Sequence, residues 1–192
     1  LFREPELLDA LPSTEATCEL GTWRAEIEPE RYARAFERIQ AYLAAGDTYQ
    51  VNFTYRQRTG FGGEPRALFQ RLAGAQPTEY AAYVRAGRWA LCSASPELFF
   101  ELNRGWLTSR PMKGTAPRGR WCEEDEALAR ELQRSPKDRA ENVMITDMIR
   151  NDMGRVVAPG SVRVVEPFAV ERYPTVWQMT STVRARTSAG WR

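Results

Sequence analysis

Between residues 80 and 109 the chain reads as two tight hairpins in succession, and this constrains the fold more than any other feature. Two strand-like runs, Tyr80 to Arg85 and Trp89 to Ser93, flank the turn Ala86-Gly87-Arg88. A second pair, Glu97 to Leu102 and Trp106 to Ser109, flanks Asn103-Arg104-Gly105. Connections this short join antiparallel neighbours, because a parallel pair needs a long crossover. Helical patterns stand outside this meander instead of alternating with single strands. The fold class expected is therefore α+β, not a βαβ array.

The flanking pattern is explicit. From Pro29, the residues Tyr32, Phe36, Ile39 and Leu43 recur at helical spacing and Gly46 follows as a stop, which predicts an amphipathic helix over 29–45. Tyr49 to Tyr55 alternates strictly and predicts a strand with Tyr49, Val51, Phe53 and Tyr55 on one face and Gln50, Asn52 and Thr54 on the other. A short helix is expected from Pro65 to Leu72. Arg110 to Gly119, rich in Pro and Gly, is expected to be a loop. Two helices follow, from about Glu123 to Leu132 and from an N-cap at Ser135 to about Asp152. Strands are expected over 162–165 and 175–186. Residues 1–28 read as the end of an N-terminal region or a linker, and 29–192 as one domain.

Composition narrows the chemistry. At 43% hydrophobic and 27% charged residues, with mean hydropathy −0.53, the chain has the profile of a soluble globular protein. It contains no run of about 18 apolar residues, so no membrane span is expected. Charges of both signs are interleaved and the net charge is +2, which disfavours nucleic acid as a partner. Cys18, Cys92 and Cys122 are too widely spaced for a C-x-x-C metal pair. The chain has no histidine, which excludes a Ser-His-Asp triad, a Cys-His dyad and His-ligated zinc within it. Acid–base work therefore falls to carboxylates, lysine, tyrosine or water. The first residue is Leu and the last are Trp191 and Arg192 in a polar segment, so the chain reads as cut from something longer. A cytoplasmic location is expected.

Of the 27 basic residues, 25 are arginine and only Lys113 and Lys137 are lysine. Arginine does not lose its proton in proteins, whereas a lysine amine serves as a nucleophile once its pKa is lowered. Lys113 lies between Met112 and Gly114, bracketed by Pro111 and Pro117. Gly114 permits close approach of a ligand, and Arg110 and Arg118 are near enough in sequence to supply positive charge. The competing reading is an ordinary loop lysine. Asp138 and Glu141 stand at i and i+3 on one helix face, where a divalent cation with oxygen ligands would relieve their repulsion. The competing reading is a favourable interaction with the helix dipole. Glu97, at the start of an apolar strand, is either solvent-facing or a half-buried general acid. Gln50, Asn52 and Thr54 present uncharged polar groups suited to lining a polar cavity.

The order and wording of these segments resemble the chorismate-binding enzyme family. The matching segments are Ala45-Gly46-Asp47-Thr48-Tyr49-Gln50-Val51-Asn52, Ser95-Pro96-Glu97-Leu98 and Arg110-Pro111-Met112-Lys113-Gly114-Thr115. They continue with Lys137-Asp138-Arg139-Ala140-Glu141-Asn142-Val143-Met144-Ile145, with Asp147 and Arg150-Asn151-Asp152, and with Tyr173-Pro174-Thr175-Val176-Trp177-Gln178-Met179-Thr180-Ser181-Thr182. Within the family the chain is most similar to the aminodeoxychorismate synthase component I branch, with anthranilate synthase component I as the near relative.

The resemblance implies a fold of two stacked, mostly antiparallel sheets with outer helices, of which 29–192 is the N-terminal, incomplete part of the catalytic domain. It implies amination of chorismate by ammonia to 4-amino-4-deoxychorismate, toward p-aminobenzoate and folate. Mg²⁺ is implied as cofactor and a glutamine amidotransferase subunit as partner. Glu141 and Asp138 match the metal-binding acidic pair; Gly114, Thr115, Gln50 and Gln178 match substrate-contacting positions. Glu97 matches the general acid toward the departing C4 hydroxyl. Lys113 matches the lysine that attacks C2 to form a covalent intermediate, where anthranilate synthases carry alanine. Gln50 stands where isochorismate and salicylate synthases have a lysine base, and Gln178 where many relatives have histidine. The relatives' second acidic pair, carboxylate-binding arginine and Gly-Ala-Pro-Lys-like turn fall outside 1–192, so the chain by itself is expected to be inactive. Competing assignments are anthranilate synthase component I and a non-catalytic relative.

Overall fold

The computed structural model describes residues 17–187, which form two units, one ending at Leu68 and one beginning at Phe69. The expected linker falls largely on 1–16, outside the described residues, as does the polar tail from 188.

In the first unit β1 (Cys18–Leu20) pairs antiparallel with β4 (Phe61–Gly63), and β2 (Arg24–Ala25) with β3 (Gln57–Arg58). Between them runs α1 (Pro29–Ala45), which begins with Pro29 in the first turn and ends at Gly46 in the left-handed conformation (φ 78°). These are the predicted boundaries. Tyr32 on its apolar face meets the rings of Phe53 and Tyr55, with centroids 5.5 and 5.8 Å away. The strand expected over 49–55 is not formed: the segment is irregular, and β3 begins only at Gln57. Alternation specifies a face, but a strand also needs a hydrogen-bonded neighbour. Among the described residues none pairs with this segment.

The second unit takes up the chain within α2 (Pro65–Ala75) and continues with the hairpin β5 (Tyr80–Ala86) and β6 (Trp89–Ser95). A five-stranded antiparallel sheet follows, built from β7 (Leu98–Asn103), β8 (Trp106–Arg110), β9 (Met112–Pro117), β10 (Arg163–Arg172) and β11 (Val176–Arg186). Its spine is β11, flanked on one side by β10. On the other side Val183–Arg186 pairs with β8, and Val176–Thr180 pairs with β9. Both predicted hairpins are present, and the antiparallel α+β expectation holds.

The expected loop at 110–119 is instead mostly a strand. Pro111 precedes the strand and Pro117 is its last paired residue, opposite Val176, so neither interrupts the ladder, and Gly114, at φ 103°, lies beside a register shift opposite Gln178 and Thr180. Helices α3 (Cys122–Arg134) and α4 (Pro136–Gly154) pack on the sheet. Ser135 caps α4, its Oγ accepting from the Asp138 N–H at 3.3 Å. The core joins Leu107, Met153, Val157, Val183 and Ala185. Among the described residues no helix is long and apolar enough to cross a membrane.

Candidate functional site

Of the site residues that the resemblance implicates, all except Gln50 line one cavity of about 480 Å³ in the second unit. β9 contributes Lys113, Gly114 and Thr115; α4 contributes Asp138 and Glu141; β11 contributes Gln178; and Glu97 comes from just before β7. Gln50 belongs to the first unit, where the Thr48 hydroxyl donates to its carbonyl. A larger cavity of about 600 Å³ in the first unit lies against Arg31, Arg34, Arg38 and Arg56; of the polar trio Gln50, Asn52 and Thr54, only Thr54 lines it.

The cavity follows from the way β9 is held. Gly114 is placed where an added Cβ would meet the Cβ atoms of Asp138 and Met179 at 3.1 Å. Only glycine allows the strand so close to α4, and that approach puts the half-buried Lys113 beside the acidic face of the helix. Glu97 is exposed. Its Oε1 nevertheless accepts the Met112 N–H at 3.0 Å, which ties the carboxylate to the residue preceding Lys113. Thr115 and Gln178 are directly paired across the strands, and the Thr115 hydroxyl donates to the Gln178 side-chain oxygen at 3.0 Å.

The positive charge near Lys113 comes from an unexpected source. Arg118 is committed to Asp125 through two hydrogen bonds of 2.7 and 2.6 Å, and that bidentate pairing holds the Asp125 carboxyl well below the usual carboxylate range. Arg110 faces Glu171 and Glu79, each at 3.4 Å. Neither arginine lines the cavity. Lys137 does, with its Nζ 3.6 Å from Glu141 Oε1. Both lysines of the chain thus share one cavity. The Tyr173 phenol, pushed up to about 12 by burial and by Glu171, donates to Glu171 at 3.1 Å, with the Pro96 carbonyl 3.5 Å from the same hydroxyl.

For the magnesium ion that the resemblance implies, the donor chemistry of α4 fits. Asp138 and Glu141 are hard oxygen donors one turn apart, and Mg²⁺ takes one or two carboxylates and completes its shell with water and substrate oxygens. Among the described residues there is no group of three or more His, Cys, Asp or Glu side chains placed to hold a metal.

Sequence reasoning passed over Asn142, which is fully buried on α4 beside Glu141. A signal was present: Asn142 and Thr146, four apart, occupy the face of α4 that packs inward, where apolar residues are the rule.

An α+β scaffold that gathers two amines, three carboxylates and a side-chain amide into one open cavity is a frame for chemistry on a polar small molecule. The chain belongs to the chorismate binding enzyme family, whose model matches residues 4–192. Among its relatives, aminodeoxychorismate synthase component 1 of Klebsiella aerogenes is 46% identical over 88% of this chain and 38% of that protein. Anthranilate synthase component 1 of Thermus thermophilus is 40% identical over 88% of this chain and 36% of its own length. Of solved structures, anthranilate synthase component I from Streptococcus pneumoniae superposes with a TM-score of 0.79 at 28% identity, over 88% of this chain and 37% of that one. The chain therefore spans little more than a third of the length of these relatives.

Proposed function

We propose that this chain is part of an enzyme that aminates chorismate to 4-amino-4-deoxychorismate, with Lys113 as nucleophile. The supporting observation is that Lys113 shares one cavity with Glu97, Asp138 and Glu141. In this reading the Lys113 amine forms a bond to C2 of chorismate, the ring double-bond electrons shift, and the C4–O bond breaks. Glu97, although exposed in this chain, is assigned the proton with which the hydroxyl leaves as water, the role the resemblance gives it, and regains a proton when ammonia adds. Ammonia then bonds to C4, the electrons shift back, and the C2–N bond breaks to release the lysine. The net exchange is ammonia in and water out. Dividing one displacement into two is the advantage that a nucleophilic amine brings.

Asp138 and Glu141 would hold Mg²⁺, which when bound neutralises and orients a substrate carboxylate. Gln178, Thr115 and the backbone at Gly114 orient the ring from the sheet side, and Gln50 is proposed as a further substrate contact. Ammonia is assigned to a separate glutamine amidotransferase subunit, which agrees with relatives named as component 1 of a synthase. The cytoplasm is the proposed location.

The test incubates the intact protein with chorismate, ammonium and Mg²⁺ and follows products by chromatography and the protein by intact mass. Aminodeoxychorismate should form, with a chorismate-derived adduct that maps to Lys113 and is absent in Lys113→Ala. Release of pyruvate with anthranilate, or full turnover by Lys113→Ala, would overturn the assignment.

A further inference from the structure

We infer that Asn142 is the positioning residue of this site, a single buried amide that sets the Lys113 amine against the acidic face of α4; this deepens, and rests on, the reading of Lys113 as the reacting group. Asn142 is 0% exposed. Its Nδ2 donates to the Lys113 carbonyl on β9 at 3.2 Å and to the Met179 carbonyl on β11 at 3.3 Å. Its Oδ1 accepts from the Ser181 hydroxyl and, at 3.4 Å, from the Thr146 hydroxyl. Two donors and two acceptor sites are all that an amide has, and here every one is used. The orientation of the group is settled by its partners, because two backbone carbonyls can only accept and must face the NH₂.

The tether reaches three of the four segments that line the cavity. Glu141 immediately precedes Asn142 on α4, Gln178 immediately precedes Met179 on β11, and Lys113 is itself the residue held on β9. Lining residues on three separate elements are thus fixed within one position of a single side chain. Ser181 extends the network, since its Oγ accepts the Phe168 N–H at 3.1 Å at a bulge of β10, where Phe168 takes a positive φ of 57°. A fully satisfied buried network of this kind rigidifies what it joins. At the next residue, Gly114 keeps β9 against Asp138. With its carbonyl pinned and its successor packed, Lys113 has one backbone direction from which to extend its flexible stem.

Asn142→Asp keeps the shape and removes both donors, leaving the Lys113 and Met179 carbonyls facing an acceptor. Asn142→Ala removes the group and leaves room for water. Thr146→Val keeps the two carbonyl tethers and the Ser181 bond and removes only the long 3.4 Å contact to Oδ1, so it is the control for a buried change that spares the tethers. In the intact protein, well below each variant's unfolding midpoint, misplacement of the amine by about 1 Å should lower kcat for amination on the order of 100-fold. KM for chorismate should stay within about threefold, the pattern of a lost transition-state contact. The rate of adduct formation at Lys113 should fall in proportion to kcat, and Thr146→Val should keep both rates. Peptide-resolved labelling with trinitrobenzenesulfonate should change at Lys113 and not at Lys137 in the same molecule.

Wild-type kcat and labelling in a folded Asn142→Asp or Asn142→Ala protein would overturn the inference. So would failure of both variants to fold, which would make the amide a purely structural group. If instead Lys113→Ala turns over normally, the reading of Lys113 fails, while the labelling ratio still reports whether the tether sets that amine's environment.

Discussion

Replacing Gly114 by alanine tests how β9 is held against α4. The added methyl would stand 3.1 Å from the Cβ atoms of Asp138 and Met179 and 3.3 Å from Leu132 Cδ1. Met179 and Leu132 are 0% and 3% exposed, so neither has free space to retreat into. The backbone adds a separate cost, since φ is 103°. Holding a non-glycine residue in such a region costs about 1–3 kcal/mol, and overpacking a closed contact costs about 1–3 kcal/mol more. Small movements of the neighbours relieve part of the second cost, and we expect a net loss of about 3 kcal/mol. Chemical denaturation of the intact protein, followed by tryptophan fluorescence, measures it directly. In thermal unfolding it corresponds to roughly 6–12 °C, at about 2–4 °C per kcal/mol for a unit of this size. Gly74→Ala in α2 is the matched control, because nothing lies within 4 Å of its added Cβ. There alanine should be neutral or stabilising by up to about 1 kcal/mol through helix propensity. A Gly114→Ala protein within about 0.5 kcal/mol of wild type, the range of an unremarkable surface change, would refute the close approach of β9 to α4.

Asp125→Asn should destabilise the protein at neutral pH. Because the folded-state pKa of Asp125 is depressed, chiefly by Arg118, its contribution is present above the unfolded value of about 3.9 and fades as pH falls below it. The gap in Tm between variant and wild type should therefore close as the medium is acidified; a gap independent of pH would contradict the ion-pair argument. Tyr173 should remain protonated on titration until pH approaches about 12, the value to which burial and Glu171 raise it. Ultraviolet difference titration should lose that late phenol in Tyr173→Phe. Any stability this raised pKa confers is present below the ordinary tyrosine value of about 10 and is lost as pH rises through the folded one. Ser135→Ala should cost about 1 kcal/mol by removing the cap of α4, and Ser135→Gly less than that. Equal losses in denaturation would mean that the cap hydrogen bond carries no weight.

Elements whose signal is local were legible in the sequence. Helix α1 has an apolar stripe, a proline at its start and a glycine at its end, and it forms over the predicted residues. The two hairpins rest on turns that permit only antiparallel neighbours, and both are present. The segment 49–55 shows the limit of this reasoning: its alternation is clear, yet a strand depends on a neighbour that the local pattern does not specify. The stretch 112–117 shows the converse. Its prolines and glycine suggest a loop, but β11 supplies a ladder and the prolines fall where the ladder does not need them.

The same division runs through the site. Residue types and the scarcity of lysine marked Lys113, Glu97, Asp138 and Glu141 as candidates, because chemical character belongs to each side chain alone, and the resemblance added Gln178. That these side chains meet was decided by the tertiary structure, since the contacts between β9, α4 and β11 join residues far apart in the chain. It also sent Arg110 and Arg118 to other carboxylates and brought Lys137 into the cavity in their place. The role of Asn142 depends on tertiary structure most of all. An amide acquires its function from the partners around it, and two of those partners are backbone carbonyls, which every residue possesses and no sequence distinguishes.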